Sequence, residues 1–203
     1  MSNADDTHAA DSEKANAAIE GDKGEDKQKQ STLLINLAQR SGAEFFHTPE
    51  NEPFATFRVA QHFETSSLKA QLFRLWLARL FYEEEGQAIS NNAMQEALSI
   101  FSSMAIFDGE AERVYLRHAY VDGRIYIDVC DREWRVIKID SSGWHVVTAS
   151  PVKFRRPKGM LALAIPEHGG EMSELRSFVN AVDDDDWVLL QAFLLGVWAP
   201  NPP

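Results

Sequence analysis

Lys153, Arg155, Arg156 and Lys158 crowd into ten residues, PVKFRRPKGM, with Phe154 set among them. Cations interleaved with an aromatic suit single-stranded nucleic acid, which offers phosphates to the charges and base faces to the ring. Arg113, Arg117, Arg124, Arg132, Arg135 and Lys138 lie upstream, but so do Asp122, Asp128, Asp131, Glu133 and Asp140. The competing reading is therefore a mixed-charge solvated surface, in which the arginines fasten themselves to acidic neighbours.

Other residues offer weaker chemistry. Asp183-Asp184-Asp185-Asp186 could gather oxygens around a hard cation. The run lacks the spacing of a calcium loop and precedes an apolar stretch, so its expected work is to cap a helix and favour its positive end. His62-Phe63-Glu64 contains the His-x-Glu that opens a zinc deaminase motif, but its Pro-Cys-x-x-Cys half is impossible with Cys130 as the single cysteine. His47, His118 and His145 fall in strand-like runs and His168 in a loop, without the His-x-x-x-His spacing of a zinc site. No Gly-x-Ser-x-Gly elbow or Gly-x-x-x-x-Gly-Lys-Ser/Thr phosphate loop occurs. Cys130 sits within a strand pattern, where a packed, inert thiol is expected. With only His62, Glu64 and Asp128 as loose catalytic material, the sequence points to no enzyme, no cofactor and no metal.

The bulk composition narrows the field further. Thirty-one acidic against 20 basic side chains give a net charge of -11, so any nucleic-acid contact must be local rather than a general wrapping. A chain of 203 residues, 44% apolar, can bury a core. A lone cysteine forms no internal disulfide, which suits the reducing cytoplasm. The first thirty residues are small, charged or amide, lack the basic-then-apolar order of a leader, and read as a disordered acidic tail, 1–30. WVLLQAFLLGVWA, the most apolar run, is well short of the roughly 20 residues that span a bilayer. No membrane partner is expected.

The elements that would position these residues follow from periodicity. STLLINLAQR, Ser31 to Arg40, reads as a short helix closed by Gly42, and Glu44 to Val59 as a hairpin around PENEP. Ser66 or Ser67 then caps a helix carrying Leu68, Leu72, Leu75, Trp76, Leu77, Leu80 and Phe81 to Gly86. A second helix starts at Ser90 or Asn91 with Met94, Ala97, Leu98, Phe101 and Ala105 on one stripe, completing a helical hairpin. VYLRHAYV, RIYIDVC, WRVIKID and WHVVTAS make a four-stranded antiparallel meander from Arg113 to Ala149, turned by Asp122-Gly123 and two polar loops. Ile125, Ile127 and Val129 should face a core, and Arg124, Tyr126, Asp128 and Cys130 a mostly polar side. A loop from Pro166 to Gly170, a short helix from Ser173 and a last helix from Asp183 to Ala199 complete the chain. The fold class is α+β: an antiparallel meander with a helical hairpin before it and two helices after it, in a single domain over 31–199.

FFHTPENEPFATFRV, His62-x-x-Thr65, LFRLWLARLFYEEEG, RIYIDVCDREWRVIKI, Gly143-Trp144, PVKFRRPKGMLALAIP and the Gly-Gly-x-x-x-x-Leu-Arg-x-Phe-Val-Asn segment from Gly169 to Asn180 occur in this order. Together, over about Phe45 to Trp198, they resemble the region preceding the P-loop in large bacterial and phage-borne ATPases, the ATP-binding, primase/helicase-like proteins of mobile elements. In that family the last helix leads through a proline-containing connector to a buried strand and the phosphate loop. LLGVWAPNPP stops at the connector, 200–203, so the Walker lysine, the magnesium-binding residues and the arginine finger are absent and ATPase activity is not implied. The resemblance implies an accessory module that contacts DNA or a replication partner. Phe154, Arg155, Arg156, Gly159 and Met160 match the family's basic segment, while Lys153 and Lys158 are additions. In a DNA-contacting role Arg155 and Arg156 would meet phosphates, and Phe154 or Trp144 would stack on bases. The alternative is a protein-interaction or regulatory module that docks an ATPase or replication protein in trans through Trp187, Phe193 and Trp198, aromatic residues suited to interface hot spots.

Overall fold

The computed structural model describes residues 30–198; the expected tail, except Gln30, and the connector at 200–203 lie outside the described residues. The architecture is α+β, as the sequence pattern implies, with its contacts grouped into two compact units. The span read from sequence as one domain, 31–199, thus holds two packing units, the first ending at Arg113 and the second beginning at Val114.

In the first unit, residues 30–40 form a helix (α1) that buries Leu34, Leu37 and Ala38 and ends at Gly42, whose φ of 77° favours glycine. Strands β1 (Glu44–His47), β2 (Pro53–Val59) and β3 (His62–Ser67) form an antiparallel sheet in that order. Strand β3 corrects the expected helix cap at Ser66 or Ser67. It is joined to β2 through Ala60-Gln61, with Ala60 at a φ of 52° and no glycine or asparagine to announce the turn. Thr56 and Thr65 face each other across this pair with their hydroxyls 2.9 Å apart. Helix α2 (Gln71–Glu85) therefore starts later, from Ala70, without a side-chain cap, and ends at Gly86 in the left-handed conformation. Helix α3 (Asn91–Ser103) begins as its sequence suggests, with the Ser90 hydroxyl accepting from the Ala93 N–H.

The core of this unit lies between the helices and one sheet face. Phe57, Phe73, Leu77, Phe81, Met94, Ala97, Phe101 and Ala105 are buried there, and Phe45 stacks on Phe101 at 4.8 Å. Helix α3 widens into a π turn, Met104–Asp108, and stops at Gly109. A Cβ at Gly109 would stand 2.5 Å from the Ala105 carbonyl oxygen and 2.8 Å from Phe46 Cα, so only glycine lets these backbones approach.

In the second unit, strands β5 (His118–Val121), β6 (Arg124–Asp128), β7 (Val136–Asp140) and β8 (Gly143–Val147) make the expected antiparallel meander. VYLRHAYV is not one strand. Its first part, β4 (Val114–Tyr115), pairs in parallel with β9 (Lys153–Phe154), and only the remainder joins the meander. The expectation of one polar sheet face is also corrected. Ile127, Val129 and Ile137 cluster on one side, while Ala119, Tyr126 and Val136 pack with Val152 and Phe154 on the other. A 3-10 turn, Met172–Phe178, precedes helix α4 (Asp184–Gly196).

Candidate interaction site

The basic segment is positioned by β9. Pairing with Val114 and Tyr115 turns Phe154 inward, where it is 4% exposed and meets the Tyr115 ring edge-on at 6.4 Å. It offers no stacking face to a base. Alternation along the chain sends the Arg155 side chain outward, while the Arg155 N–H donates to the Tyr115 carbonyl at 2.9 Å.

Arg156 turns inward and is spent. Its Nε donates to Asp128 Oδ2 at 2.8 Å and its Nη2 to Asp128 Oδ1 at 2.5 Å, a two-pronged grip on a carboxylate with no exposed surface. Nη1 donates to the Asp131 carbonyl, and the guanidinium lies 3.7 Å from the centre of the Trp134 ring. The loop it clamps, between β6 and β7, bends through Cys130 and Trp134 at φ values of 60° and 55°. That loop is closed by the Val129 N–H donating to Arg135 O and by the Arg135 backbone and Nε donating to Asp131. Burial opposes ionisation of Asp131, yet the Arg135 hydrogen bonds together with the Arg135 and Arg156 charges outweigh it and hold its carboxyl below the usual range. Arg117 works in the same way, donating to the carbonyls of Asp128 at 3.1 Å and Leu161 at 2.9 Å.

Trp144 is half-buried and already stacked on the His168 ring, with centroids 4.3 Å apart. Lys153 is half-buried and has a partner of its own. Arg155 and Lys158 are thus the members of the basic set that stand exposed. The other loose chemistry resolves into local structure. His62 Nε2 lies 2.9 Å from Glu64 Oε1, and Cys130 Sγ donates to the Met160 carbonyl at 3.4 Å. Asp140, which accepts from Lys138 and Ser142, is held well below the usual carboxylate range by those bonds. Among the described residues no group of three or more His, Cys, Asp or Glu is placed to hold a metal ion.

The last helix is a different kind of surface. Asp183 caps it by accepting from the Asp186 N–H at 2.8 Å, and Asp184 pairs with Arg176 at 2.7 Å, so the acidic run does the capping expected of it. Eight of the thirteen residues of α4 are apolar, and none is buried. Trp187 is half-covered beneath the Arg176 guanidinium, and Trp198 touches His118 edge-on. Val188, Leu189, Phe193 and Leu195 are 60, 68, 60 and 69% exposed. Phe193 thus stands among aliphatic neighbours that sequence reasoning passed over for the tryptophans. The available signal was that the run is apolar all round the helix, too much for one core-facing stripe. From Arg155 to Trp198 no residue at all is buried.

Compared with family models, with curated proteins and with solved structures, the chain matches none.

Proposed function

We propose that the chain is a non-catalytic accessory module that docks a protein partner through the outward face of α4. The resemblance of the sequence to the region upstream of mobile-element P-loop ATPases makes the partner an ATPase or replication protein. The observation that supports this reading is the unburied, apolar α4. The exposed Val188, Leu189, Phe193 and Leu195 of α4, with Trp198 just beyond its end, present about 500 Å² of apolar surface, the scale at which a patch marks an interaction site. Covering it would contribute on the order of 12 kcal/mol gross, before the costs of association.

Contact with DNA is the second reading, favoured by the outward Arg155 and Lys158. Two phosphate contacts give a salt slope of only about -2, which is a weak hold. No described helix is long and apolar enough to cross a membrane.

Co-purification from the native host distinguishes the two. The wild-type chain should bring down a P-loop ATPase or replication protein, Leu189→Asp/Phe193→Asp should lose it, and Arg155→Ala/Lys158→Ala should keep it. Retention by the aspartate variant would defeat the docking reading. Binding to labelled single- or double-stranded DNA that falls steeply with salt, and falls further in the alanine variant, would favour DNA contact instead.

A further inference from the structure

Helix α2 sends Phe73, Leu77 and Phe81 into the core, yet its opposite side is not polar. Leu72, Leu75 and Tyr82, exposed by 48, 57 and 60%, run in one line with Arg79 at positions i, i+3, i+7 and i+10. That spacing is the seam of a helix pair, and nothing in the first unit's core uses it. The charges along the helix are also arranged against its own dipole. There is no acid in its first turn and no base in its last, where Glu83, Glu84 and Glu85 sit, while Lys69 stands exposed just ahead of its start.

We infer that α2 pairs antiparallel with α2 of a second copy of this chain. A two-fold axis at the level of Leu77 sets Leu72 opposite Tyr82, Leu75 along the stem of Arg79, and Lys69 opposite Glu85, each contact occurring twice as an isologous interface requires. The acidic end of each helix, where Glu83 already pairs with Arg79 at 2.6 Å and Glu84 with Arg40 at 3.8 Å, then lies beside the positive end of the other, with Glu85 as the carboxylate that meets Lys69. A parallel pair would bring the six glutamates of the two copies together, so the antiparallel arrangement is the one the charges favour. The three apolar side chains expose about 300 Å² per copy, below the roughly 800 Å² per partner of a stable interface, so the dimer is a weak, transient one.

Sedimentation velocity of the full chain from about 5 to 500 µM tests the inference across the range of weak interfaces. The mass should climb from 22.9 kDa towards twice that value as concentration rises. Leu75→Asp, an exposed change that circular dichroism should find folded, should stay monomeric throughout. Lys69→Glu and Glu85→Lys should each weaken association about tenfold, and the double exchange should recover most of the loss, as coupled opposite charges do. Phe193→Asp, on the separate α4 face, should leave self-association unchanged. A monomer at every concentration, or a double exchange no better than either single one, would overturn the inference without touching the α4 docking reading; a dimer abolished by Phe193→Asp would overturn it too, and would give the α4 face to a second copy instead.

Discussion

Replacing Arg156 should unfold rather than unbind. Its partner Asp128 has no solvent exposure, and the carboxylate is met by two nitrogens of Arg156 at 2.8 and 2.5 Å and by the Cys130 N–H at 3.0 Å. Arg156→Ala removes the counter-charge and leaves that carboxylate buried, a change that costs about 3–5 kcal/mol, with the contact on Trp134 lost as well. Against a total stability of about 5–15 kcal/mol, this is a large share. Four of the five tryptophans, at 134, 144, 187 and 198, lie in the second unit, so fluorescence during urea unfolding reports chiefly on it. With a slope near 1 kcal/mol per M for a unit of this size, the midpoint should fall by about 3–5 M. Arg155→Ala should leave it unchanged. Arg156→Lys, which keeps the charge but loses the fork, should fall between. Asp128→Leu with Arg156→Met, removing both charges together, should return to within about 1 kcal/mol of the wild type. An Arg156→Ala midpoint equal to that of Arg155→Ala would refute the clamp and return Arg156 to the surface as a candidate phosphate ligand.

Gly109→Ala should destabilise the first unit by about 2 kcal/mol or more, because the atoms its Cβ would meet are backbone and cannot swing away; thermal melting followed at the α-helical signal checks this. Asp131 and Asp140 ionise more readily in the fold than in the open chain. Their stabilisation is therefore fully present above the ordinary carboxylate pKa and drains away as the pH falls below about 4. Urea midpoints should be flat from about pH 8 to 5 and decline below 4, less steeply in Asp131→Asn; stability that rises on acidification would contradict the assignment.

What was legible in the sequence was whatever depends on neighbours along the chain. Ser90 and Asp183 cap helices where their positions suggest, Gly86 closes α2, and Asp122-Gly123 turns β5 into β6. Strand β3 was not legible, because its turn uses Ala60 in a conformation that non-glycine residues seldom adopt and its Ser66-Ser67 imitates a helix cap. The break of VYLRHAYV at Leu116-Arg117 escaped for another reason: β4 is defined by a parallel partner almost forty residues away, which no local pattern encodes. The basic segment shows the same limit. Its charges are plain in the sequence, but Arg156 meets Asp128 across 28 residues and Phe154 turns inward only through β9, so composition could pose the choice between surface and clamp without deciding it. For α4, an apolar run read as a closing helix, the sequence carried the apolarity and the structure supplied its exposure.

Hydrogen exchange along the free, monomeric chain tests the docking account most directly. A helix of thirteen residues with no buried side chain has little tertiary packing to hold it, since isolated helices of that length are marginal in water. Amides of α4 should exchange orders of magnitude faster than those of α2 and α3, whose Phe73, Leu77, Phe81 and Phe101 are fully buried, and should become protected only when the partner is bound. Protection of α4 in the monomer equal to that of α2 would mean that the face is already covered within the chain, and would contradict the account.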